Sequence, residues 1–478
     1  MKSFTRKFSK LSVILILLCS SGAYSQNVND ALRLGLPGLG ANARALGMGN
    51  AYIGLSDDAS ASFYNPAGLG LLKRMEFSGG LEYINFDNNT TFMNQKTDYS
   101  NSATDLDRLS FAFPIPTLRG SLVFGISFHT TKNLTGSLSF DGFNNSNTSM
   151  IQNLLDTNIP FDLYLTDDNY NTVINGRLNQ SGTILNSGAV RNWAFSGAVE
   201  VSKNVFIGAT FNLAAGHFDS NNDYYEDDTH SIYQDTTAPG YPDTYDFRTF
   251  YFNRILHWDL TGWDVKTGFL YQINDIARIG ATIQFPKVFY VHENFDVDGS
   301  STFGTGITYN LDKSKYSDKV NYEIVTPFSL GLGFSTNYHG FIFSAQGDLT
   351  DYSELNFDNP GEGLSVQYIQ DQNKTIKDLL GSVFSYNAGI EYTIAPLGLR
   401  LRAGYMVQPS PYKGDPSEFD HKYVTGGIGF LANETMGIDI AIAHGWWQDY
   451  GDNYGVNVSR TYQDIIVNNI ILTALYRF

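Results

Sequence analysis

The chain has 478 residues and a formal net charge of −17, and 17% of its residues are charged while 14% are aromatic. Ordinary soluble domains contain about 25% charged residues, so this chain is poor in charge and rich in aromatic rings. The acidic balance excludes nucleic acid as a partner, and the composition favours a membrane β-barrel with aromatic girdles.

A secretory signal peptide is predicted at residues 1–25. Four basic residues precede an apolar run from Leu11 to Leu18, and small residues lead to Ser25. The run is too short to span a bilayer as a retained helix. Cys19 follows Leu18, where a lipidation site requires a small residue, so cleavage after Ser25 is favoured. The mature chain then has no cysteine, and 27 basic minus 48 acidic residues give it a net charge of −21.

The stretch from Leu36 to Leu72 is rich in glycine and alanine and follows neither a strand period nor a helix period. Its most informative part is Asn65-Pro66-Ala67-Gly68. Proline fixes its own φ and keeps the preceding residue out of the helical region, while glycine permits a sharp reversal. The four residues therefore predict a compact bend, which taken alone is most often a surface turn.

From Met75 onward, apolar and polar residues alternate with the two-residue period of a strand between two unlike environments. The alternation recurs along the chain, for example at 204–213 and 278–285. Arg400 and Arg402 fall on the inward face of one such strand. Because charges are costly in a packed core, we expect a wet lumen around them.

The connections between these strands alternate in length. The short ones are Pro114–Arg119, Ser202–Asn204, Asn274–Ala277, Thr336–Gly340, Ala395–Gly398 and Ala432–Met436. The long, polar ones are Asp87–Asp105, Thr131–Ala189, Phe218–Thr261, Val291–Val325, Ser353–Ser382, Gln408–Asp420 and Trp447–Gln463. We count Phe247–Asp259 as the outer extension of the strand at Gly262–Ile273. The six short and seven long connections then separate fourteen strands. An even number of strands with short periplasmic turns and long outer loops is typical of outer-membrane barrels.

The chain ends in a strand whose last aromatic residues are Tyr476 and Phe478, with Ile470, Leu472 and Ala474 on the same face. This ending resembles the C-terminal assembly signal of bacterial outer-membrane proteins. Together with the signal peptide, it predicts insertion by the barrel assembly machinery into the outer membrane of a Gram-negative bacterium. The protein would then be surrounded by outer-membrane lipid and lipopolysaccharide.

Three segments of the N-terminal stretch carry a resemblance to a known family: Gly40–Ala51, Asp57–Ala61 and Tyr64–Leu69. In order, spacing and position before the first strand, they closely resemble the N-terminal hatch of the long-chain fatty acid transporter (FadL-like) family, which includes the toluene-type hydrocarbon channels. The Asn-Pro-Ala trio is that family's hatch signature. Gly262–Phe285 is more weakly similar to the family's central hairpin, so the barrel matches mainly by architecture.

The resemblance implies an all-β protein, a fourteen-stranded antiparallel transmembrane barrel at 75–478 plugged by a hatch at 26–74. It implies a passive outer-membrane channel for hydrophobic compounds, either long-chain fatty acids or aromatic hydrocarbons, which leave sideways through a gap in the barrel wall. Such a protein is not an enzyme and needs no cofactor. A hydrophobic small molecule is the expected ligand, and a monomer is the expected state.

The predicted site residues fall into three groups. The hatch bend is assigned to Asn65, Pro66, Ala67 and Gly68. The flanking wall of the pocket is assigned to Phe63, Tyr64 and Leu69. An apolar face with helical spacing in the loop Thr131–Ala189 is assigned to Met150, Leu154 and Leu155. This third group either lines the route of the substrate or anchors the loop on the barrel rim.

An alternative function of a different class is that of a PorV-like barrel of the type IX secretion system, which resembles the same family and holds cargo proteins. The aliphatic face around Leu154 favours a small apolar ligand instead. The eight histidines lack metal-ligand spacing, and no hydrolase or metalloprotease motif is present. The acidic run from Asp223 to Asp228 is more typical of a solvated loop than of a cation site.

Overall fold

The computed structural model describes residues 27–234, 244–274, 276–361, 363–432 and 435–478. The predicted signal peptide lies outside the described residues. Most of the described chain is strand, and the strands in chain order are β1 (Glu76–Phe92), β2 (Gln95–Ile115), β3 (Leu122–Asn133), β4 (Gly136–Phe143), β5 (Asn179–Ser202), β6 (Val205–Asp227), β7 (Phe247–Ile273), β8 (Ala277–Gln284), β9 (Val288–Phe303), β10 (Thr308–Asn310), β11 (Asp318–Val325), β12 (Ser329–Tyr338), β13 (Phe341–Asp351), β14 (Asn356–Asp358), β15 (Ser382–Ile394), β16 (Leu399–Gln408), β17 (His421–Ala432), β18 (Met436–Asp452) and β19 (Arg460–Arg477).

These strands form one antiparallel sheet that closes on itself. The barrel order is β1, β2, β3, β5, β6, β7, β8, β12, β13, β15, β16, β17, β18 and β19, and β19 pairs back onto β1 from Glu76↔Arg477 onward. The predicted fourteen-stranded antiparallel barrel is therefore confirmed. Three barrel strands are extended outward across a short break: β3 by β4, β8 by β9, and β12 by the preceding β11. The break between β8 and β9 contains Pro286, and the break between β11 and β12 contains Pro327.

Several predicted outer loops are partly strand, which corrects the sequence analysis. The predicted loop Asp87–Asp105 is a hairpin in which β1 and β2 stay paired as far as Phe92↔Gln95, and β18 and β19 continue to Asp452↔Arg460. Polar composition suggested loops there, but an antiparallel hairpin can keep its ladder while its faces are in water. Phe247–Ile273 is a single strand, as predicted.

The outward face of the barrel is apolar. Aromatic side chains form two levels on it: Trp193, Trp263 and Trp446 lie well above the short turns, whereas Tyr338, Tyr392 and Tyr476 lie beside them. Between these levels many of the exposed side chains are aliphatic, such as Leu332, which is 67% exposed. A lipid-facing band flanked by aromatic girdles has this pattern.

The helices are short and belong to the N-terminal segment or to the outer loops. They are α1 (Val28–Gly35), α2 (Ala43–Gly47), α3 (Ala61–Tyr64), α4 (Met150–Asn153), α5 (Ile159–Asp162) and α6 (Val366–Leu379). Single 3-10 helices lie at Pro66–Leu71, Lys313–Lys315, Tyr352–Glu354, Ala395–Leu397 and Ser417–Phe419. No helix of the described ranges has the length and apolar character needed to cross a bilayer.

Residues 27–74, here called the N-terminal segment, lie inside the barrel and contact opposite sides of its wall. Ala43 N donates a hydrogen bond to Thr473 Oγ1 on β19 at 3.1 Å. On the other side, Thr210 Oγ1 on β6 donates to Ser62 O at 2.9 Å. The segment's alanines are buried, because small side chains allow its backbone to approach the wall.

Two hydrophobic clusters close the long-loop end of the barrel. The first packs α1 and α6 against outer parts of the barrel strands and includes the fully buried Trp258 and Ile376. The second joins α4 and α5 to the outer extensions of β6, β7 and β9, with Met150, Phe250 and Phe303 in its centre. The interior is thus covered on the outer side by packed loops and helices.

Candidate functional site

Asn65 links three parts of the molecule through its buried side chain. Its Nδ2 donates to Ile53 O at 2.9 Å within the N-terminal segment and to Phe269 O at 3.0 Å on β7. Its Oδ1 accepts from Ala67 N at 3.2 Å and so caps the 3-10 helix that begins at Pro66. The bend predicted from the Asn-Pro-Ala sequence therefore lies against the barrel wall, not on the protein surface.

Glycines on the inward face of the wall make room for this bend. A Cβ atom added to Gly208 on β6 would lie 2.5 Å from the carbonyl carbon of Pro66, and one added to Gly280 on β8 would collide with Ile53 and Asn65. Side chains at these positions would push the N-terminal segment off the wall. Gly208 and Gly280 are therefore sites of close backbone approach.

Buried ion pairs join the N-terminal segment to the short-turn end of the barrel, which is periplasmic in outer-membrane barrels. Arg44 donates to Glu391 on β15 through Nε at 3.0 Å and Nη2 at 3.1 Å, and also donates to Asp57. Arg402 on β16 donates to Glu391 at 2.6 Å and to Asp439 on β18 at 2.6 Å. Removing one partner of a buried ion pair costs about 3–5 kcal/mol, so this network holds the segment in place.

The expected wet lumen is wrong at Arg402, whose side chain is 0% exposed. The carboxylates of Glu391 on β15 and Asp439 on β18 supply the compensation that water would otherwise provide. Arg400 is half-buried nearby. Burial raises the pKa of Asp57, but the positive charges of Arg44 and Arg278 outweigh burial and hold that pKa well below its usual range. Asp57 therefore stays ionised within the network.

A cavity of about 240 Å³ lies between the N-terminal segment and the wall, on the long-loop side of the bend. Its apolar lining includes Leu36, Ile53, Phe63, Phe289 and Met406. Small-molecule pockets commonly measure about 300–1,000 Å³. The cavity therefore suits a small ligand or one end of a longer one.

Three lysines of the wall also line this cavity. Lys132 Nζ donates to Leu36 O at 2.9 Å, and Lys266 Nζ donates to Phe63 O at 2.8 Å. Lys287 lies 3.6 Å from Asp264, at the break between β8 and β9. Each ammonium thus sits beside an apolar surface, and two of them are held by backbone carbonyls of the N-terminal segment. This combination suits a molecule with an apolar body and an anionic group.

Part of the cavity wall is joined by side chains where a backbone ladder would be expected. Strands β2 and β3 pair from Ile115↔Leu122 as far as Arg108↔His129, beyond which β3 bulges and no further β2–β3 pairing is present in the described chain. Beyond that point Thr130 Oγ1 donates to Leu106 O at 2.8 Å.

Two further side-chain bonds join the strands above the bulge. Asn133 Nδ2 donates to Asp105 Oδ2 at 3.0 Å, and Arg191 Nη2 on β5 donates to Asp105 Oδ1 at 2.7 Å. We call Asp105, Leu106 and residues 130–133 the β2–β3 seam. Thr131 and Lys132 within it line the cavity, so the seam lies between the cavity and the outside of the barrel.

The structure separates the residues predicted for the pocket. Phe63 and Tyr64 line the cavity. Leu69 is fully buried in a different cluster, where it packs the N-terminal segment against β2, β3 and β5. Tyr476 and Phe478 are exposed at the short-turn end with their ring centroids 4.8 Å apart.

The predicted loop residues lie away from the cavity. Met150 is 3% exposed in the second outer cluster, and its N–H donates to Glu226 at 2.7 Å. Leu154 packs against the same cluster, and Leu155 beside it is half-buried. This is the arrangement expected if the apolar face anchors the loop on the barrel.

Sequence reasoning did not find Lys132, Lys266 and Lys287. Lys266 stands at an inward position of the alternating stretch Gly262–Phe285, so an inward cation within an apolar strand was the available signal. The β2–β3 seam had no such signal, because the point where a ladder ends depends on the register of two strands.

These features define a class of protein: a closed fourteen-stranded barrel of the outer-membrane type, filled by its N-terminal segment, with an internal cavity. No protein-family model matches the sequence, and the curated proteins yield no match. Solved structures do match it.

The P. putida toluene transporter TodX is 14% identical with a TM-score of 0.55, and the match covers 92% of this chain and 99% of that one. A Pseudomonas aeruginosa FadL homologue is 12% identical with a TM-score of 0.57 and coverages of 93% and 99%. The Ralstonia pickettii toluene transporter TbuX is 16% identical with a TM-score of 0.51 and coverages of 92% and 99%. The chain therefore has the fold of the FadL-type channels.

Proposed function

We propose that this protein is an outer-membrane channel for the passive uptake of hydrophobic compounds, and that its preferred ligands carry a carboxylate on an apolar body. The observation that carries the proposal is the cavity, in which Lys132, Lys266 and Lys287 stand beside apolar walls. Asp348 is the one acidic side chain among the lining residues. Such lysines donate charge-assisted hydrogen bonds to a carboxylate.

The apolar part of the ligand supplies most of the binding energy. Each methylene that leaves water contributes about 0.8 kcal/mol, so a chain bound beside Ile53 and Met406 needs no energy source to be drawn in. A neutral hydrocarbon would gain the same apolar contacts but would leave the ammonium groups without an anion. Carboxylates should therefore bind more tightly than hydrocarbons of equal size.

The N-terminal segment acts in this proposal as the hatch, with Asn65 to Gly68 forming its fixed bend. Exit through the short-turn end would require breaking the buried contacts of Arg44 with Glu391 and Asp57. Exit through the β2–β3 seam requires parting of side-chain bonds and no backbone ladder. The Thr130–Leu106 bond is worth about 0.5–1.5 kcal/mol, and each of the two bonds to the Asp105 carboxylate is worth about 1.5–3 kcal/mol. The ligand therefore leaves sideways, into the bilayer.

The test measures binding and uptake with the mature protein in liposomes. Dodecanoate and dodecane, which have the same number of carbons, are compared, and the Lys132→Gln/Lys266→Gln double variant is compared with wild type. We expect enhanced uptake of both ligands by wild type, tighter binding of dodecanoate, and a tenfold or greater loss of dodecanoate affinity in the double variant. Lys374→Gln, on the exposed face of α6, is the control and should bind normally.

Liposomes with wild-type protein that take up neither ligand faster than empty liposomes would overturn the channel. An equal loss of affinity for both ligands in the double variant would overturn the carboxylate preference. Co-purification of exported proteins in place of lipid-like ligands would favour a secretion role.

A further inference from the structure

A group of buried polar atoms without hydrogen-bond partners lies on the inner wall formed by β1, β2 and β3. Seven such atoms belong to five residues, which we call the wall patch: Ser78, Asp107, Arg108, Ser110 and His129. The patch is contiguous, because Ser78 is paired with Ser110 and Arg108 with His129 across the strands. Buried polar side chains are nearly always hydrogen-bonded, so a patch of this kind points to a ligand.

A bulge in β2 turns two consecutive charged side chains inward. The register between β1 and β2 shifts between Gly80 and Leu81, which pair with Arg108 and Leu106. Asp107 is therefore the extra residue, and it is 0% exposed, while Arg108 is 3% exposed. Bulges are frequent beside functional sites, where they re-aim side chains. Buried charges are costly unless they are paired and hydrogen-bonded.

The patch lies between the cavity and the β2–β3 seam. Arg108 and His129 form the last backbone pair before the seam begins, and His129 lines the cavity opposite Phe63, with ring centroids 5.1 Å apart. Tyr64 also lines the cavity, and the charges of Asp107 and Arg108 both act on its phenol. Burial raises the pKa of Tyr64, the backbone N–H of Ala41 lowers it, the charge of Asp107 raises it further, and that of Arg108 opposes the rise.

Asp107 and Arg108 together offer an acceptor and a donor. Both carboxylate oxygens of Asp107 and the Nε and Nη1 of Arg108 lack partners. Asp107 and a ligand carboxyl that share this site cannot both ionise easily, so the pair holds one proton. A carboxylic acid fits both residues, because its O–H can donate to Asp107 while its carbonyl accepts from Arg108. The neutral acid is also the form that enters a bilayer without the cost of a charge.

We propose that the wall patch is a second binding site, which takes the carboxyl headgroup of a departing ligand in its protonated form at the lower edge of the β2–β3 seam. This proposal rests on the proposed channel function. The cavity lysines bind the ionised headgroup first. At the patch the headgroup takes one proton from the carboxyl of Asp107, which is left ionised and accepts the O–H of the neutral acid; Asp107 regains a proton from water after the acid has left. Arg108 does not line the cavity, so the two sites are separable by mutation.

The experiment uses the mature protein in liposomes and measures both the Kd and the rate at which ligand enters the bilayer. The probes are dodecanoic acid and its methyl ester, which keeps the carbonyl acceptor and lacks the O–H donor. In Arg108→Met we expect the transfer rate of the acid to fall about tenfold with an unchanged Kd, and the rate of the ester to fall as well, because its carbonyl also accepts from Arg108. Arg108→Lys should restore much of the rate.

Asp107→Asn provides a second variant with the same side-chain shape. It should slow the acid and leave the ester unchanged, and it serves if Arg108→Met does not assemble into a heat-modifiable barrel. Equal slowing of acid and ester in Asp107→Asn, or an unchanged acid rate in an assembled variant, would overturn the proposal. Wild-type protein that transfers neither probe would instead overturn the channel itself, so the two failures are distinguishable.

Discussion

Arg44 of the N-terminal segment donates two hydrogen bonds to the carboxylate of Glu391 on β15, at 3.0 and 3.1 Å, and both side chains are at most 8% exposed. The same carboxylate accepts from Arg402. One wall carboxylate therefore joins an interior segment to two neighbouring parts of the barrel. Four predictions follow from this seating of the segment and from the seam beside it.

Removing the Arg44–Glu391 pair should open the barrel to small ions. Arg44→Ala leaves the buried Glu391 carboxylate with only one of its two arginine partners, which costs about 3–5 kcal/mol. The N-terminal segment should therefore be displaced from the barrel wall part of the time. Planar-bilayer conductance is the measurement, and it should rise well above that of wild type. Arg460→Gln is the control, since the Arg460–Asp452 pair is partly exposed on the outer hairpin and worth about 0–1 kcal/mol. Unchanged conductance in Arg44→Ala would contradict this account of the seal.

Closure of the barrel should persist in mild acid and fail in strong acid. A carboxyl group with a lower pKa in the folded state than in the unfolded state stabilises the fold. This contribution is complete above the unfolded pKa, which is about 3.9 for aspartate. It is lost as the pH falls through the folded-state pKa. The pKa of Asp57 is lowered in this way, because Arg44 and Arg278 outweigh the effect of burial. Conductance should therefore stay low from pH 8 to about pH 4 and rise below that. Asp57→Asn should conduct already at neutral pH, and a wild-type opening near pH 6 would argue against the prediction.

A single methyl group at Gly208 should displace the bend. The added Cβ would lie 2.5 Å from the backbone of Pro66, and overpacking of this kind costs about 1–3 kcal/mol. Gly208→Ala should raise conductance and lower the temperature at which the folded barrel disappears on a gel. Gly426→Ala in β17 is the matched control, because its Cβ would meet Arg402 O at 3.9 Å. Identical behaviour of the two variants would exclude close backbone approach as the role of Gly208.

Cross-linking the β2–β3 seam should stop uptake. The mature chain is predicted to have no cysteine, so Asp105→Cys/Asn133→Cys can be joined selectively by a short bis-methanethiosulfonate reagent. We expect uptake of dodecanoate to fall at least tenfold after cross-linking and to recover when reductant is added. Asp452→Cys/Arg460→Cys, a paired position on the outer hairpin, should be cross-linked without effect. Full uptake by the cross-linked seam variant would place the exit elsewhere.

The sequence determined the barrel. Alternating strands and connections that alternate between short and long predicted the strand number, because side-chain period and loop length are local properties of the chain. The order of small residues around Asn65-Pro66-Ala67 likewise marked the N-terminal segment. Sequence alone also indicated Phe63 and Tyr64 as neighbours of the bend, and both line the cavity.

The tertiary structure decided what the interior does. The side chain of Arg402 was expected in water but is fully buried. Its partners Glu391 and Asp439 come from other strands, so only the folded structure brings them together. The cavity lysines, the seam at Asp105 and the inward turn of Arg108 all depend on register between strands, where a shift of one residue reverses which face a side chain occupies. A bulge such as that at Gly80 shifts the register in this way, so the pairing of strands in space fixed these positions.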